Sequence, residues 1–182
     1  MLKKKLKGHF LVTFIWLVLV TLFRWDWHWN LLWLWLGGLV GTFLLDIDHL
    51  LYTLVFYPHE LTSIRVKRLF QQRHFKEALI LLKDTIGERT KLSFHNALFQ
   101  PIFYVFCFFV LTSTDSLFGA GLVMAMALHL LKDEFELLFQ GREEFLRQWL
   151  FWQVKTKVSL RKQKFFVILM FLIFLGLNLL LI

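Results

Sequence analysis

"LLWLWLGGLVGTFLLDIDHLLYT", residues 31–53, is an apolar stretch that carries two aspartates and a histidine near its end. An α-helix rises 1.5 Å per residue, so a stretch of this length can cross a hydrocarbon core about 30 Å thick. In the 182-residue chain, 58% of the residues are hydrophobic and 18% are aromatic, which leaves too little polar surface to cover a soluble globule. The sequence therefore predicts an all-α integral membrane protein.

Further apolar stretches extend this prediction to the whole chain. We expect a polytopic transmembrane helical bundle of about five spans, forming one integral membrane domain over residues 1–182. The predicted spans are residues 9–24, 31–53, 93–112, 116–138 and 165–182. Phe23, Trp25 and Trp27 occupy the region where a signal peptide would need a small-residue cleavage site, so the first span is expected to be a retained anchor.

The net charge of +8 is distributed unevenly along the chain. Lysines and arginines precede the first span and fill the loops 58–92 and 139–164, whereas the other two connections hold only Arg24. This alternation is the positive-inside pattern, which predicts an inner-membrane protein with its N-terminus in the cytoplasm and its C-terminus outside. Attraction to anionic headgroups accounts for the basic loops, so we expect membrane lipid as a partner and no nucleic acid.

The two cytoplasmic loops carry amphipathic patterns. Residues 62–86 and 143–154 place apolar side chains among basic ones at helical spacing, which predicts helices that lie in the headgroup plane. Such helices are either purely structural or recognise a lipid substrate. The acidic residues near the membrane edge are expected to be solvated: Glu134, Glu136, Glu143 and Glu144.

Ionisable residues within the predicted spans are the second distinctive feature. They cluster at the cytoplasmic ends of four spans: His9, Asp46, Asp48, His49, His95, His129 and Asp133. Each costs up to a few kcal/mol in lipid, so they require partners. His129 and Asp133, four residues apart, share a helix face, as do Asp46 and His49, three apart. Asp48 lies about 100° around the helix from His49. It can therefore join the same site only at the edge of that site, or it can act indirectly by orienting one of the ligands.

Carboxylate and imidazole groups together are the ligand set of zinc, manganese and non-haem iron. Two such sets that face each other suit a dinuclear site. We therefore predict one or two divalent metal ions, with zinc as the first choice and manganese or iron as alternatives.

The same residues carry a resemblance. A His that opens the first span, a D-x-D-H late in the second, a His at the start of the third and H-x-x-x-D in the fourth resemble the membrane-bound family of predicted metal-dependent hydrolases. That family occurs in bacterial and archaeal membranes and is thought to be distantly related to zinc-dependent phospholipase C. The resemblance covers residues 9–140. It implies hydrolytic activity and metal ligation by His9, Asp46, Asp48 or His49, His95, His129 and Asp133.

The chain departs from the family pattern at three places. Leu45 replaces a usual Pro, Thr90 and Lys91 replace a usual His-Arg pair, and Asn96 replaces a usual Ser. One expected metal ligand is therefore absent.

These observations predict a membrane-embedded metal-dependent hydrolase that acts at the cytoplasmic leaflet on a phospholipid or lipid-linked phosphate ester. Asp48 is predicted to act as a general base, and Lys91 or Lys132 to hold a substrate phosphate. Two other classes stay open. The polar layer could bind a transported metal ion or relay protons, or it could hold the helices together without catalysis.

Overall fold

A computed structural model describes the backbone of residues 2–25 and 28–182 and the side chains from residue 7 onward, again without 26 and 27. These residues form helices and connections, with no β-strand among them. The α-helices are α1 Leu2–Arg24, α2 Leu31–Leu44, α3 Ile47–Leu51, α4 Leu61–Gln71, α5 Phe75–Asp84, α6 Phe99–Ser113, α7 Leu117–Phe139, α8 Glu143–Leu150 and α9 Leu160–Leu181. A π-helical turn, Tyr52–Phe56, continues α3, and a 3₁₀ turn, Ile86–Glu88, follows α5. The predicted all-α class is confirmed.

Three helical stretches of the described chain are long and apolar enough to cross a membrane: Lys7–Arg24, Leu31–Phe56 and Leu160–Leu181. They indicate a membrane protein. Helix α6 is apolar but shorter, and α7 carries adjacent charges at Lys132, Asp133 and Glu134 in its second half. The count of five spans therefore stays a prediction.

Two predicted spans differ from the helices in their bounds. The second is interrupted between Leu44 and Ile47, where α2 ends and α3 begins. The third was predicted from residue 93, but α6 begins at Phe99. The Asn96 side-chain oxygen accepts hydrogen bonds from the backbone N–H groups of Leu98 (3.1 Å) and Phe99 (2.9 Å), so this residue caps α6 and leaves 93–95 outside the helix.

Helices α2 and α7 pack backbone against backbone through glycines. A Cβ atom on Gly37 would lie 2.0 Å from the Phe118 carbonyl oxygen. A Cβ on Gly41 would lie 2.2 Å from the Leu122 carbonyl oxygen, and one on Gly121 would meet α2 equally closely. Only glycine permits this approach, which is the small-residue packing typical of membrane helices. The contact places α2 directly beside the first two turns of α7.

The core fills the space between α1, α2, α6, α7 and α9. Its buried residues include Leu17, Leu34, Phe103, Met124 and Phe174. The outward faces of α6 and α9 remain apolar as well, with Val105 70% exposed and Leu179 78% exposed. An apolar surface on this scale is what lipid contact requires and what water disfavours.

Helices are present in both loops that were predicted to contain them. Helices α4 and α5 pack together through Val66, Ala78 and Leu82, while Ile64 and Leu79 point away from this contact and are exposed. The position of α4, α5 and α8 in a headgroup plane stays a prediction.

Candidate metal centre

Three predicted ligands converge at one end of the bundle. His9 on α1 lies with its Nε2 atom 3.0 Å from Asp133 Oδ1, and His129 Nε2 lies 3.6 Å from Asp133 Oδ2. One ligand atom from each residue falls within 4.8 Å of the others, and all three residues are buried. Ligand atoms around a tetrahedral zinc ion lie about 3.3 Å apart, because each is about 2.0–2.1 Å from the metal. Two imidazole nitrogens and one carboxylate oxygen are thus close enough together that the group could hold a metal ion.

The orientation of His129 is fixed by α2. Its Nδ1 atom lies 2.7 Å from the carbonyl oxygen of Thr42, and a carbonyl only accepts, so Nδ1 carries a proton. In the neutral ring, Nε2 then presents a lone pair toward the carboxylates of Asp133 and Asp46. This buried Nε2 has no hydrogen-bond partner among the described residues. A lone pair buried beside carboxylates requires a proton or a cation between them.

His9 stacks on the His129 ring, with 4.0 Å between ring centroids and 20° between planes. Its Nε2 atom also lies 3.2 Å from the ammonium group of Lys132, which is 3.5 Å from Asp133 Oδ1 and contacts Glu136. Lys132, predicted to hold a substrate phosphate, thus lies at the edge of the ligand cluster.

Asp46 supplies a second carboxylate from the break between α2 and α3. Its Oδ1 atom is 3.9 Å from His129 Nε2, and its side chain is 43% exposed. Asp46 therefore forms the accessible side of an otherwise buried group.

Asp48 faces a different set of donors. It is fully buried and accepts hydrogen bonds from the backbone N–H groups of Ser93 (3.1 Å) and Phe94 (2.7 Å). His95 Nδ1 lies 3.1 Å from Asp48 Oδ2, and the His95 ring lies 5.8 Å from the His129 ring. This geometry makes Asp48 the residue that anchors the segment before α6 and orients His95. The role of Asp48 as a general base stays a prediction.

His49 lies next to His95, with 5.9 Å between ring centroids. The guanidinium Nε of Arg89 lies 3.3 Å from His49 Nδ1, and Arg89 is buried although it belongs to a basic loop. Burial lowers the pKa of Arg89, while the charge of Glu88 opposes this shift. Sequence reasoning missed Arg89 because nothing in the pattern separates one buried arginine from the exposed cations around it. Lys91, the other predicted phosphate ligand, is exposed and lies 6.0 Å from the centre of the Tyr57 ring.

The comparisons with known proteins found no relative of this chain. No protein-family model matches the chain, and searches of curated proteins and of solved structures found no match either. The resemblance to membrane-bound hydrolases therefore stays a prediction.

The expectation that Glu134 is solvated was wrong. Glu134 is completely buried on α7, on the side that faces α6, next to Gln100 and with Tyr104 nearby. The Gln100 amide lies beside both the Glu134 carboxylate and the Tyr104 hydroxyl, but it forms no well-aligned hydrogen bond with either group. Glu134 follows Asp133 directly, and a step of about 100° around the helix turns it from the metal-ligand cluster into the neighbouring core.

Proposed function

We propose that the chain is a membrane-embedded, metal-dependent hydrolase that acts at the cytoplasmic leaflet on a phospholipid or a lipid-linked phosphate ester. The observation that carries the proposal is the orientation of His129. Its Nδ1 proton is committed to the Thr42 carbonyl, and its buried Nε2 lone pair faces the carboxylates of Asp133 and Asp46.

The donor set fits a divalent cation. Two imidazole nitrogens from His9 and His129 with carboxylate oxygens from Asp133 and Asp46 match the ligands of zinc, and also suit manganese or non-haem iron. The Thr42 carbonyl supplies the outer hydrogen bond that orients a metal-binding histidine in most such sites. When bound, the cation supplies Lewis-acid activation of water and of a phosphoryl oxygen.

The residues around this cluster have roles in hydrolysis. Asp48, the general base predicted from sequence, is engaged by backbone N–H groups and by His95 Nδ1, so we give that role to His95 instead. With its Nδ1 proton held by Asp48, His95 presents an unprotonated Nε2 atom that can accept a proton from the attacking water. The water oxygen forms a bond to phosphorus, the bond from phosphorus to the leaving oxygen breaks, and the proton passes to that oxygen. Asp46, on the exposed side, is where substrate enters.

A lipidic substrate is supported by the surroundings of the site. We propose that α6 and α7 also cross the inner membrane, giving five spans with the N-terminus in the cytoplasm. Helices α4, α5 and α8 then lie at the headgroup level, with exposed apolar residues such as Ile64 and Leu79 beside basic ones.

Metal analysis tests the proposal. Protein purified in detergent should contain about one divalent ion per chain, and His129→Ala should lose it. His59→Ala, which changes an exposed histidine outside the cluster, is the control and should keep the ion. If His129→Ala holds as much metal as the unchanged protein, the cluster is structural and the proposal is wrong.

The proposed hydrolase activity is tested by a separate assay. Metal-loaded protein in mixed micelles should release phosphate or a phosphorylated headgroup from an added phospholipid or lipid diphosphate. Removal of the ion by a chelator, or the change Asp133→Asn, should abolish that release. Metal binding without release from either substrate class would leave a binding or transport protein.

A further inference from the structure

A polar cavity of about 340 Å³ lies at the other end of the bundle from the candidate metal centre. Along α1, its residue Arg24 is about 22 Å from His9, at 1.5 Å per residue. The cavity lies between the end of α1, the start of α2, the α6–α7 connection and the end of α9. Ligand sites in proteins have volumes of about 300–1,000 Å³, so this cavity has room for a small polar group. The described polar side chains that line it are Arg24, His28, Asn30, Thr114, Asp115 and Ser116.

The surroundings of the cavity are those of a membrane surface. Two of the stretches that are long and apolar enough to cross a membrane, Lys7–Arg24 and Leu160–Leu181, end at this cavity. Trp25 and Trp29, at the same end of the bundle, are 82% and 87% exposed. Tryptophan is enriched where spans meet lipid headgroups. The cavity is therefore expected to lie at headgroup depth.

Arg24 brings a positive charge to the cavity. Its side chain is half-buried, and its Nη1 atom donates a hydrogen bond to the Leu181 carbonyl at 3.0 Å. This contact is the one hydrogen bond or ion pair that Arg24 makes within the described chain, and a carbonyl oxygen carries no full charge. The other guanidinium N–H groups thus remain for an anion. Guanidinium matches phosphate in particular, because it can bind two phosphate oxygens at once.

Asp115 brings the opposite charge. Its side chain is exposed and makes no hydrogen bond or ion pair with another described residue. Its two neighbours are engaged by the helix ends. The Thr114 hydroxyl donates to the Val110 carbonyl at 2.7 Å. The Ser116 hydroxyl oxygen accepts from the Gly119 backbone N–H at 3.0 Å. Because a carboxylate only accepts hydrogen bonds, a cationic donor such as an ammonium group suits Asp115.

Arg24 and Asp115 line the same cavity without forming an ion pair with each other. A ligand that matches both groups carries a phosphate and an ammonium group in one small unit. The apolar lining includes Leu111 and Leu180, and Leu180 is also exposed to the outside of the bundle, so acyl chains can continue along α9. We infer that the cavity binds the headgroup of a phospholipid with a primary ammonium group, its phosphate at Arg24 and its ammonium at Asp115. The inference does not rest on the proposed hydrolase activity.

Headgroup selectivity tests the inference. The purified protein in detergent is titrated with dihexanoyl phospholipids that differ only in their headgroup, and binding is measured by calorimetry. Phosphatidylethanolamine should bind at least about tenfold more tightly than phosphatidylcholine, whose trimethylated nitrogen has no N–H group for Asp115. Phosphatidylglycerol, which lacks a cation, should bind as weakly as phosphatidylcholine. Glycerophosphoethanolamine has the same headgroup without acyl chains and should bind more weakly than the lipid.

Substitutions assign the two charges to the two parts of the headgroup. Arg24→Gln should weaken the binding of phosphatidylethanolamine and phosphatidylcholine alike, by about tenfold or more, because both carry the phosphate. Arg24→Lys keeps the positive charge and should retain most of the affinity. Asp115→Asn should lose most of the preference for phosphatidylethanolamine while it binds phosphatidylcholine as before. Arg65→Gln and Asp84→Asn change exposed charges on α4 and α5 and are the matched controls.

Equal affinity of the unchanged protein for phosphatidylethanolamine and phosphatidylcholine overturns the inference. An unchanged preference in Asp115→Asn also overturns it, and this variant decides the question if Arg24→Gln does not fold. Glycerophosphoethanolamine that binds as tightly as the lipid would mean a soluble ligand and not a phospholipid. His129→Ala, which tests the proposed function, should bind phosphatidylethanolamine like the unchanged protein. If His129→Ala loses this lipid and Arg24→Gln keeps it, the lipid binds at the metal centre, which overturns the inference and supports the proposed function.

Discussion

At the scale of single residues, the state of each histidine is decided by one neighbouring atom. The Thr42 carbonyl oxygen accepts a hydrogen bond from His129 Nδ1, whereas Arg89 donates one to His49 Nδ1. Two histidines of the same polar layer therefore face opposite kinds of partner at the same ring atom. This distinction was beyond sequence reasoning, because the deciding partners are a backbone carbonyl on another helix and a loop arginine distant in the chain.

Lys132 lies against the same atoms that a metal ion would use at the candidate centre. Its ammonium group lies 3.2 Å from His9 Nε2 and 3.5 Å from Asp133 Oδ1, so a divalent ion must bind against a nearby positive charge. We expect Lys132→Met to raise zinc affinity by about tenfold, which is about 1.4 kcal/mol. Competition with a chromophoric chelator measures this change, and Lys76→Met, an exposed lysine on α5, is the control. Weaker zinc binding in Lys132→Met would mean that the lysine supports the site.

Glu134 offers a test of a carboxyl group buried without a cation beside it. Glu134→Gln keeps the shape of the side chain and removes its capacity for charge, so we expect the melting temperature in detergent to stay the same or to rise by about 2–4 °C. Glu134→Ala should lower it, because it leaves a cavity beside Gln100 and Tyr104. A clear fall in the melting temperature of Glu134→Gln would show that the negative charge is needed there.

The exposed pair on α8 predicts a small pH dependence. Hydrogen bonds from Arg147 and then Gln148 lower the pKa of Glu144 from 4.5 to about 2. A lowered pKa stabilises the folded state above the ordinary value, and this contribution is lost as the pH falls toward about 2. The melting temperature of Glu144→Gln should therefore lie slightly below that of the unchanged protein at pH 6, and the difference should vanish near pH 2. A difference that grows on acidification would contradict this origin.

At the scale of helices, the glycine contact between α2 and α7 positions the candidate metal centre. Gly41 comes just before Thr42, so a methyl group at Gly41, 2.2 Å from the Leu122 carbonyl oxygen, must push the Thr42 carbonyl away from His129. Gly41→Ala should lower the melting temperature by at least about 5 °C and weaken zinc binding by about tenfold or more. Gly176→Ala, where nothing lies within 4 Å of the added atom, should be neutral or slightly stabilising. Equal behaviour of the two variants would mean that the helix contact adjusts freely.

Helix bounds were less predictable than helix existence. The apolar stretches located α1, α2, α7 and α9 because length and hydropathy alone decide whether a segment suits lipid. The start of α6 depended on a side-chain cap by Asn96, which sequence reasoning treated only as a departure from a family pattern. No glycine or proline marks the interruption at Leu45 and Asp46, and sequence reasoning interpreted Asp46 as a metal ligand and not as a helix break.

At the scale of the whole molecule, sequence reasoning predicted that the acids and imidazoles lie near one another, because the alternation of basic loops predicts the direction of each span. Their division into groups was not. His9, His129 and Asp133 form one cluster, with Asp46 at its edge, while Asp48 pairs with His95. That division follows from how the helices rotate about their axes, which depends on packing across the bundle.

The proposed topology can be tested by labelling introduced cysteines in a Cys107→Ala background. An impermeant maleimide added to intact spheroplasts should label Asp115→Cys but not Arg65→Cys or Gln148→Cys, which should react only after the inner membrane is permeabilised. This pattern requires α6 and α7 to cross the membrane. Labelling of Asp115→Cys and Arg65→Cys from the same side would exclude five spans.

The second predicted span is interrupted at Leu45 and Asp46, so the polar residues before and after this break contact different parts of the structure. Thr42, before the interruption, is fixed to α7, whereas Asp48 and His49, after it, are tied to residues 89–95. Mutations in the loop before α6 should therefore alter the surroundings of the candidate metal centre without disturbing the residues that would hold an ion. Under the proposed function, such a scaffold would let selectivity among headgroups diverge while affinity for the ion is inherited unchanged.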